Sequence, residues 1–355
     1  MVSGPEFLVA DLGGTNLRVG RMAADGDGRP EGVRRTATEG LGRHPGGPPA
    51  ELRRRVLRQL ETELAAALAE PAAEGVRAVG LSFAGPVTAA GVALAAPTVW
   101  GGCAEPVPLS ARLGACLGLP VLAVNDITAA AWRYATPDND AFGLFTVSSG
   151  IGGKIFRRGE VLIDDEGFGG ELGHWRVDHS ATAPLCDCGG RGHLGAISSG
   201  RGVLRAVRQA ARDHRREFAG SALAVLTGGR VQAITNEAVA AAARAGDPFT
   251  DRLLHAALRP LAIAVAGVFA AIGVRRYLFI GGFAVAVGER FVEILGDELI
   301  ALGCFGLSPA EIRAMLALGA ADDDHSLIGV GRMLAAVVPG PRSAKERAYA
   351  NADRR

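Results

Sequence analysis

The sequence shows no excess charge, no secretory signal pattern and no membrane-length apolar run. Its 38 Lys+Arg balance 37 Asp+Glu over 355 residues, which leaves no net field to draw nucleic acid or an anionic membrane. Small neutral or modestly anionic molecules are the expected partners. The opening MVSGPEFLVAD lacks a basic segment followed by an apolar core, so no leader is read and the expected location is cytoplasmic. The longest apolar run, Leu261 to Val274, falls short of the ~20 residues that span a bilayer and is expected as a buried helix. Cysteine is scarce and odd in number, five in all. Two of them, Cys186 and Cys188, stand one residue apart, too close for an ordinary disulfide framework, so reduced thiols are expected. No G-x-x-x-x-G-K-[ST] loop occurs, no G-x-G-x-x-G follows the first strand, and no period of 20–50 residues suggests a solenoid.

Glycine is plentiful: there are 50, and many gather at the ends of apolar runs, where the backbone can approach a ligand. FLVADLGGTNLRVGRM reads as strand, glycine turn, strand, and FGLFTVSSGIGGKIF repeats the arrangement. PPAELRRRVLRQLETELAAALAE has helical periodicity. VRAVGLSFAGPV is a strand broken at Gly85-Pro86, and LPVLAVNDITAAAWRYA is a buried strand entering a helix at Asn125-Asp126. Beyond Gly200 helices dominate, among them Pro248 to Gly273. One more strand ends in Gly281-Gly282, and HSLIGVGRMLAAVV forms the last helix. Strands alternating with helices predict an α/β class. The two hairpins predict mixed sheets in two related domains.

Several clusters carry chemistry, each with a plainer alternative. DLGGT (Asp11 to Thr15) reads as a hairpin turn, or as a turn whose Gly13 and Gly14 N–H groups meet a phosphate while Asp11 reaches hydrated magnesium. SSGIGGK (Ser148 to Lys154) offers the same chemistry. Asn125-Asp126 reads as a helix N-cap, or places Asp126 as the base for a hydroxyl attacking phosphorus. Glu171 and His174 form either a surface pair or a grip on vicinal hydroxyls. His174, Cys186, Cys188 and His193 make a two-nitrogen, two-sulfur set that suits a closed structural zinc site with no position left for catalytic water.

In this order the motifs resemble those of the ROK family (repressors, open reading frames and kinases), in the actin-like and hexokinase-like ATPase superfamily. DLGGT and SSGIGGK look like its phosphate motifs, ND its catalytic pair, GELGH its sugar-contact motif, CDCGGRGH its zinc motif and LFIGGF the segment beside adenosine. The resemblance covers nearly the whole chain. It implies two actin-like (ribonuclease H-like) domains with mixed sheets flanked by helices, and ATP, Mg2+ and substrate in the interdomain cleft. The expected domains are 1–125, with the helix at 321–338 packing back on it, and 126–320, which carries the zinc loop and dimerising helices; 339–355 is a polar tail. A homodimer is implied. Asp126 would be the base. Gly85, Thr98, Asn125, Glu171 and His174 would line the substrate. Asp11, Gly13, Gly14, Thr15, Asn16, Ser149, Gly150, Gly152 and Gly153 would surround the phosphates, with Gly281 and Gly282 by the adenosine.

Three positions depart from the family pattern. His193 replaces the usual third zinc cysteine. Gly195 stands where sugar kinases of the family place a Glu that contacts the anomeric end of a hexose, and Thr98 stands where an Asn is common. Losing two polar contacts weakens the grip on glucose. A ring with a hydroxymethyl group and no hemiacetal suits what is left, so the expected activity is a kinase for a valienone- or validone-like seven-carbon cyclitol, as in aminocyclitol biosynthesis. The competing expectations are a glucokinase or N-acetylmannosamine kinase and, in another class, a sugar-responsive regulator. Regulators of the family carry a helix-turn-helix domain before the first phosphate motif, which here lies within a dozen residues of Met1.

Overall fold

The computed structural model describes residues 6–23, 28–102, 105–136, 141–157, 160–162, 167 and 169–338. Two compact units emerge. One collects Met1–Ala135, Ile163–Phe168 and Asp324–Arg355; the other collects Thr136–Leu162 and Gly169–Asp323.

The first unit is built on β1 (Glu6–Leu12), β2 (Asn16–Ala23), β3 (Glu31–Ala37) and β4 (Val76–Phe83), with a short pair β5 (Val92–Ala93) and β6 (Val107–Pro108), and then β7 (Val121–Asn125). The five-stranded sheet runs β3-β2-β1-β4-β7. The β1–β2 and β2–β3 pairs are antiparallel, while β1–β4 and β4–β7 are parallel. Leu8, Ala10, Leu12, Val79, Leu81 and Phe83 are buried together with Leu52, Val56, Leu60 and Leu64 from the helix Pro49–Leu68. Those four recur every fourth residue along one helix face.

On the other face lies the helix His325–Val337, whose Leu327, Val330 and Leu334 are buried with Phe7, Val9, Ala78 and Ala129. Three glycines permit this packing. A Cβ on Gly329 would lie 1.7 Å from the Ala129 carbonyl oxygen, one on Gly331 2.2 Å from Met22 Sδ, and one on Gly80 2.8 Å from Val330 Cγ2. The helix Asp126–Tyr134 packs against this same C-terminal helix. It therefore belongs with the first unit, whose N-terminal segment runs to Ala135 where residue 125 was expected.

The second unit repeats the design with β8 (Ala141–Val147), β9 (Ile151–Arg157), β10 (Glu160–Val161), β11 (Tyr277–Ile280) and β12 (Leu316–Leu318). Its order is β10-β9-β8-β11-β12. An antiparallel hairpin again extends into parallel strands. The helix Pro248–Ile272 is 25 residues long and, by length and composition, apolar enough to cross a membrane. Here Leu254, Leu258, Leu261, Ala262 and Val265 are buried in this unit's core with Phe145, Phe279 and Phe291. The apolar run read from the sequence is thus the C-terminal half of a longer core helix.

Candidate active site and metal cluster

In the first unit the DLGGT turn joins β1 to β2. Gly13 N–H donates to the Asn16 carbonyl at 2.9 Å, and Thr38 Oγ1 donates to the Gly13 carbonyl at 2.8 Å. Neither Gly13 nor Gly14 is among the glycines with positive φ. What excludes a side chain at Gly14 is close approach: a Cβ would lie 2.6 Å from the Thr98 carbonyl oxygen. Thr98, read as a substrate contact, thus also shapes the phosphate turn through its backbone. Thr15 is exposed and Asn16 half-buried.

Asp11 sits on β1 just before this turn. Arg18 Nη2 donates to its Oδ2 at 2.8 Å and Ser82 Oγ to its Oδ1 at 2.7 Å. Arg18, buried on β2, also reaches Asp324 Oδ1 at 3.3 Å. Both carboxylate oxygens of Asp11 are thereby oriented. The donor set fits a magnesium ion reached through water; direct ligation would have to compete with Arg18. Sequence reasoning missed Arg18 and Ser82. A signal was present, since Arg18 shares a strand face with Gly20 and Met22, both buried, and a charge on a buried face needs a partner.

Asn125 and Asp126 lie at the junction of β7 and its helix. Asn125 is the N-cap, its Oδ1 accepting from Ile127 N–H at 3.0 Å and Thr128 N–H at 3.2 Å. Its Nδ2 donates to the Gly85 carbonyl at 2.9 Å and to Asp126 Oδ1 at 3.0 Å. Asp126 Oδ1 also accepts from Ile127 N–H at 2.9 Å. The capping reading therefore holds for Asn125, whose side-chain amide bonds Gly85, Asp126 and the helix entry. Gly85 meets Asn125 through its carbonyl and packs so closely that a Cβ would lie 2.1 Å from the Ala95 carbonyl oxygen.

In the second unit the SSGIGG turn joins β8 to β9. Ser148 N–H donates to the Gly150 carbonyl at 3.0 Å, and Gly200 N–H to the Ser148 carbonyl at 2.8 Å. Gly152 and Gly153 lie on β9, where Gly153 packs under Leu172 and Phe145. Gly281 combines a φ of 96° with close approach to Thr146 and the Val147 carbonyl, and caps the helix Gly282–Val287. Lys154 is buried, its ammonium donating to the Gly169 carbonyl.

Glu171 precedes a single 3-10 turn, Leu172–His174, and His174 ends it. Gly173 within it lies against β9 so closely that a Cβ would sit 1.9 Å from the Ile151 carbonyl oxygen. His174 faces Cys186, Cys188 and His193, and one ligand atom from each of the four lies within 4.8 Å of every other. Cys186 Sγ is 3.8 Å from His174 Nδ1, and Cys188 Sγ is 3.2 Å from His193 Nδ1. Tetrahedral bonds of 2.0–2.3 Å imply ligand separations of about 3.3–3.8 Å, close to these two distances, so the donor types and their spacing suit a single ion. Burial pushes the Cys186 thiol up, and burial with the neighbouring His174 pushes His193 down, toward the neutral imidazole that metal ligation needs. The loop folds this tightly because Gly192, at φ 71°, would place a Cβ 1.8 Å from the Asp178 carbonyl oxygen.

The ROK family model matches residues 34–297. A C(7)-cyclitol 7-kinase from Streptomyces hygroscopicus subsp. jinggangensis is 58% identical over 340 residues, covering 96% of this chain and 97% of that one. A 2-epi-5-epi-valiolone 7-kinase from Actinoplanes sp. is 33% identical over 267 residues, 72% of this chain and 70% of the other. Among solved structures, a ROK family glucokinase from Streptomyces griseus, in complex with glucose and AMPPNP, superposes with a TM-score of 0.69 at 26% identity, covering 92% of this chain and 98% of that one. The repeated hairpin-and-parallel sheets are the two-domain actin-like fold, and the chain belongs to the ROK family.

Proposed function

We propose that this chain is an ATP-dependent kinase that phosphorylates the primary hydroxymethyl group, at C7, of a valienone- or validone-like cyclitol. The observation that carries this reading is the 58% identity to a C(7)-cyclitol 7-kinase across almost the full length of both chains.

The residues support the chemistry as follows. Asp126, oriented by Asn125 and the Ile127 N–H, accepts the hydroxyl proton as the oxygen attacks the γ-phosphorus. The new O–P bond forms, the bond from the γ-phosphorus to the bridging oxygen breaks, and ADP leaves. Phosphoryl transfer asks mainly for positioning and charge neutralisation. The DLGGT and SSGIGG turns offer backbone N–H groups to the phosphates, with Asp11 held toward hydrated magnesium, which when bound neutralises phosphate charge. Glu171 and His174 receive ring hydroxyls, and Gly281 and Gly282 border the adenosine. The Cys/His cluster holds a structural zinc ion that fixes His174. The homodimer implied by the family pattern belongs to the same reading; sedimentation of the purified protein measures it.

Specificity constants with ATP and Mg2+ for validone, valienone, glucose and N-acetylmannosamine test the proposal. The cyclitols should lead. A highest value for glucose or N-acetylmannosamine favours the hexose-kinase alternative, and turnover of none favours a ligand-responsive regulator.

A further inference from the structure

Arg201 occupies the second position of the helix Gly200–Asp213, and its guanidinium spans two features described above. Its Nε donates to the Ser149 carbonyl in the SSGIGG turn at 2.5 Å, and Nη1 pairs with Asp187, the residue between Cys186 and Cys188. Nη2 lies 4.0 Å from the position of a Cβ on Gly150. The arginine starts from a fixed base: Ser199 caps its helix by accepting from Gly202 N–H at 3.3 Å, and Gly200 N–H is tied to the Ser148 carbonyl. Asp187 sits in a turn closed by Gly189 N–H on the Cys186 carbonyl at 2.9 Å.

We propose that Arg201 is a positioning residue through which the Cys/His loop holds the phosphate turn. Filling the cluster with a metal ion fixes Cys186 and Cys188, and so fixes Asp187 between them. Asp187 then selects one rotamer of a long side chain, and Nε holds the Ser149 carbonyl, setting the direction of the N–H groups that follow. The pair is exposed, 58% for Arg201 and 71% for Asp187. Exposed pairs add little to stability, so the link acts through geometry and not through folding energy. Its value lies in restricting one flexible cation that could otherwise point away from the turn. A second route runs from His174 through Gly173 to Ile151; it reaches the far end of the turn and leaves Ser149 to Arg201.

The inference rests on the kinase reading for its purpose, and the experiment separates the two. Hydrogen exchange across 148–153 and the affinity for AMPPNP are measured on zinc-loaded and chelator-stripped protein, for wild type, Arg201→Ala and Asp187→Asn. Neither substitution removes a metal ligand, so zinc content should stay equimolar. The expected result for both zinc-loaded variants is faster exchange in the turn and AMPPNP binding weaker by about three- to tenfold. Stripping should then loosen Arg201→Ala less than it loosens wild type, since effects that share one contact do not add. The idea is overturned by variants indistinguishable from wild type, or by stripping and substitution adding in full. Should wild type fail to bind AMPPNP, the kinase reading falls, while exchange in the turn still decides the role of Arg201.

Discussion

The Asn125 side-chain amide lies 3.0 Å from Asp126 Oδ1 and 2.9 Å from the Gly85 carbonyl. One side chain thus caps a helix, braces a glycine turn and orients the proposed base. Asp126→Ala should lower kcat by about 10²–10⁴-fold, the usual contribution of a general base, with a small change in KM. Asn125→Ala should reduce kcat less and also cost about 1 kcal/mol of stability through the lost cap. Steady-state kinetics with thermal denaturation separates the two effects, and unchanged turnover in Asp126→Ala would remove Asp126 from the mechanism.

Arg18 bridges Asp11 and Asp324. Arg18→Ala takes the shared guanidinium from two partly buried carboxylates. The expected loss is about 2–4 kcal/mol, somewhat below the ~3–5 kcal/mol for breaking a fully buried pair because both partners keep some exposure. Calorimetry reads it as a lower Tm. The magnesium concentration needed for half-maximal activity should shift as well, because Asp11 loses its orientation.

The Cys/His cluster predicts one equivalent of zinc in purified protein, lost on Cys186→Ser. Elemental analysis checks both. Metal-free protein with full activity would contradict the site.

Gly195 stands 3.2 Å, measured from the position of a Cβ, from the Gly173 carbonyl oxygen. A side chain is therefore admitted after a shift of a few tenths of an ångström. Placing a carboxylate there with Gly195→Glu should raise the ratio of glucose to cyclitol specificity constants by about ten- to a hundredfold. An unchanged ratio would mean that Gly195 does not set selectivity.

Much of this was legible in the sequence because it is local. Two glycine clusters between alternating strands announced both hairpins, and residue type alone announced the cap at Asn125 and the grouping of His174, Cys186, Cys188 and His193. What escaped was non-local. Asp126 looked like the start of a second domain, yet Ser326 Oγ donates to its carbonyl at 3.2 Å from a helix some two hundred residues away. The glycines of DLGGT suggested a backbone bared for a phosphate, whereas Gly14 is also held small by the approach of Thr98. Arg201 carries no motif; only folding sets it between Ser149 and Asp187.

The central claim is the atom that receives the phosphate. Validone incubated with ATP, Mg2+ and the protein, followed by proton-coupled phosphorus NMR of the product, should give a phosphomonoester coupled to the two protons of the C7 methylene. A phosphate coupled to a ring methine, or no cyclitol phosphate under conditions in which glucose is turned over, would contradict the account.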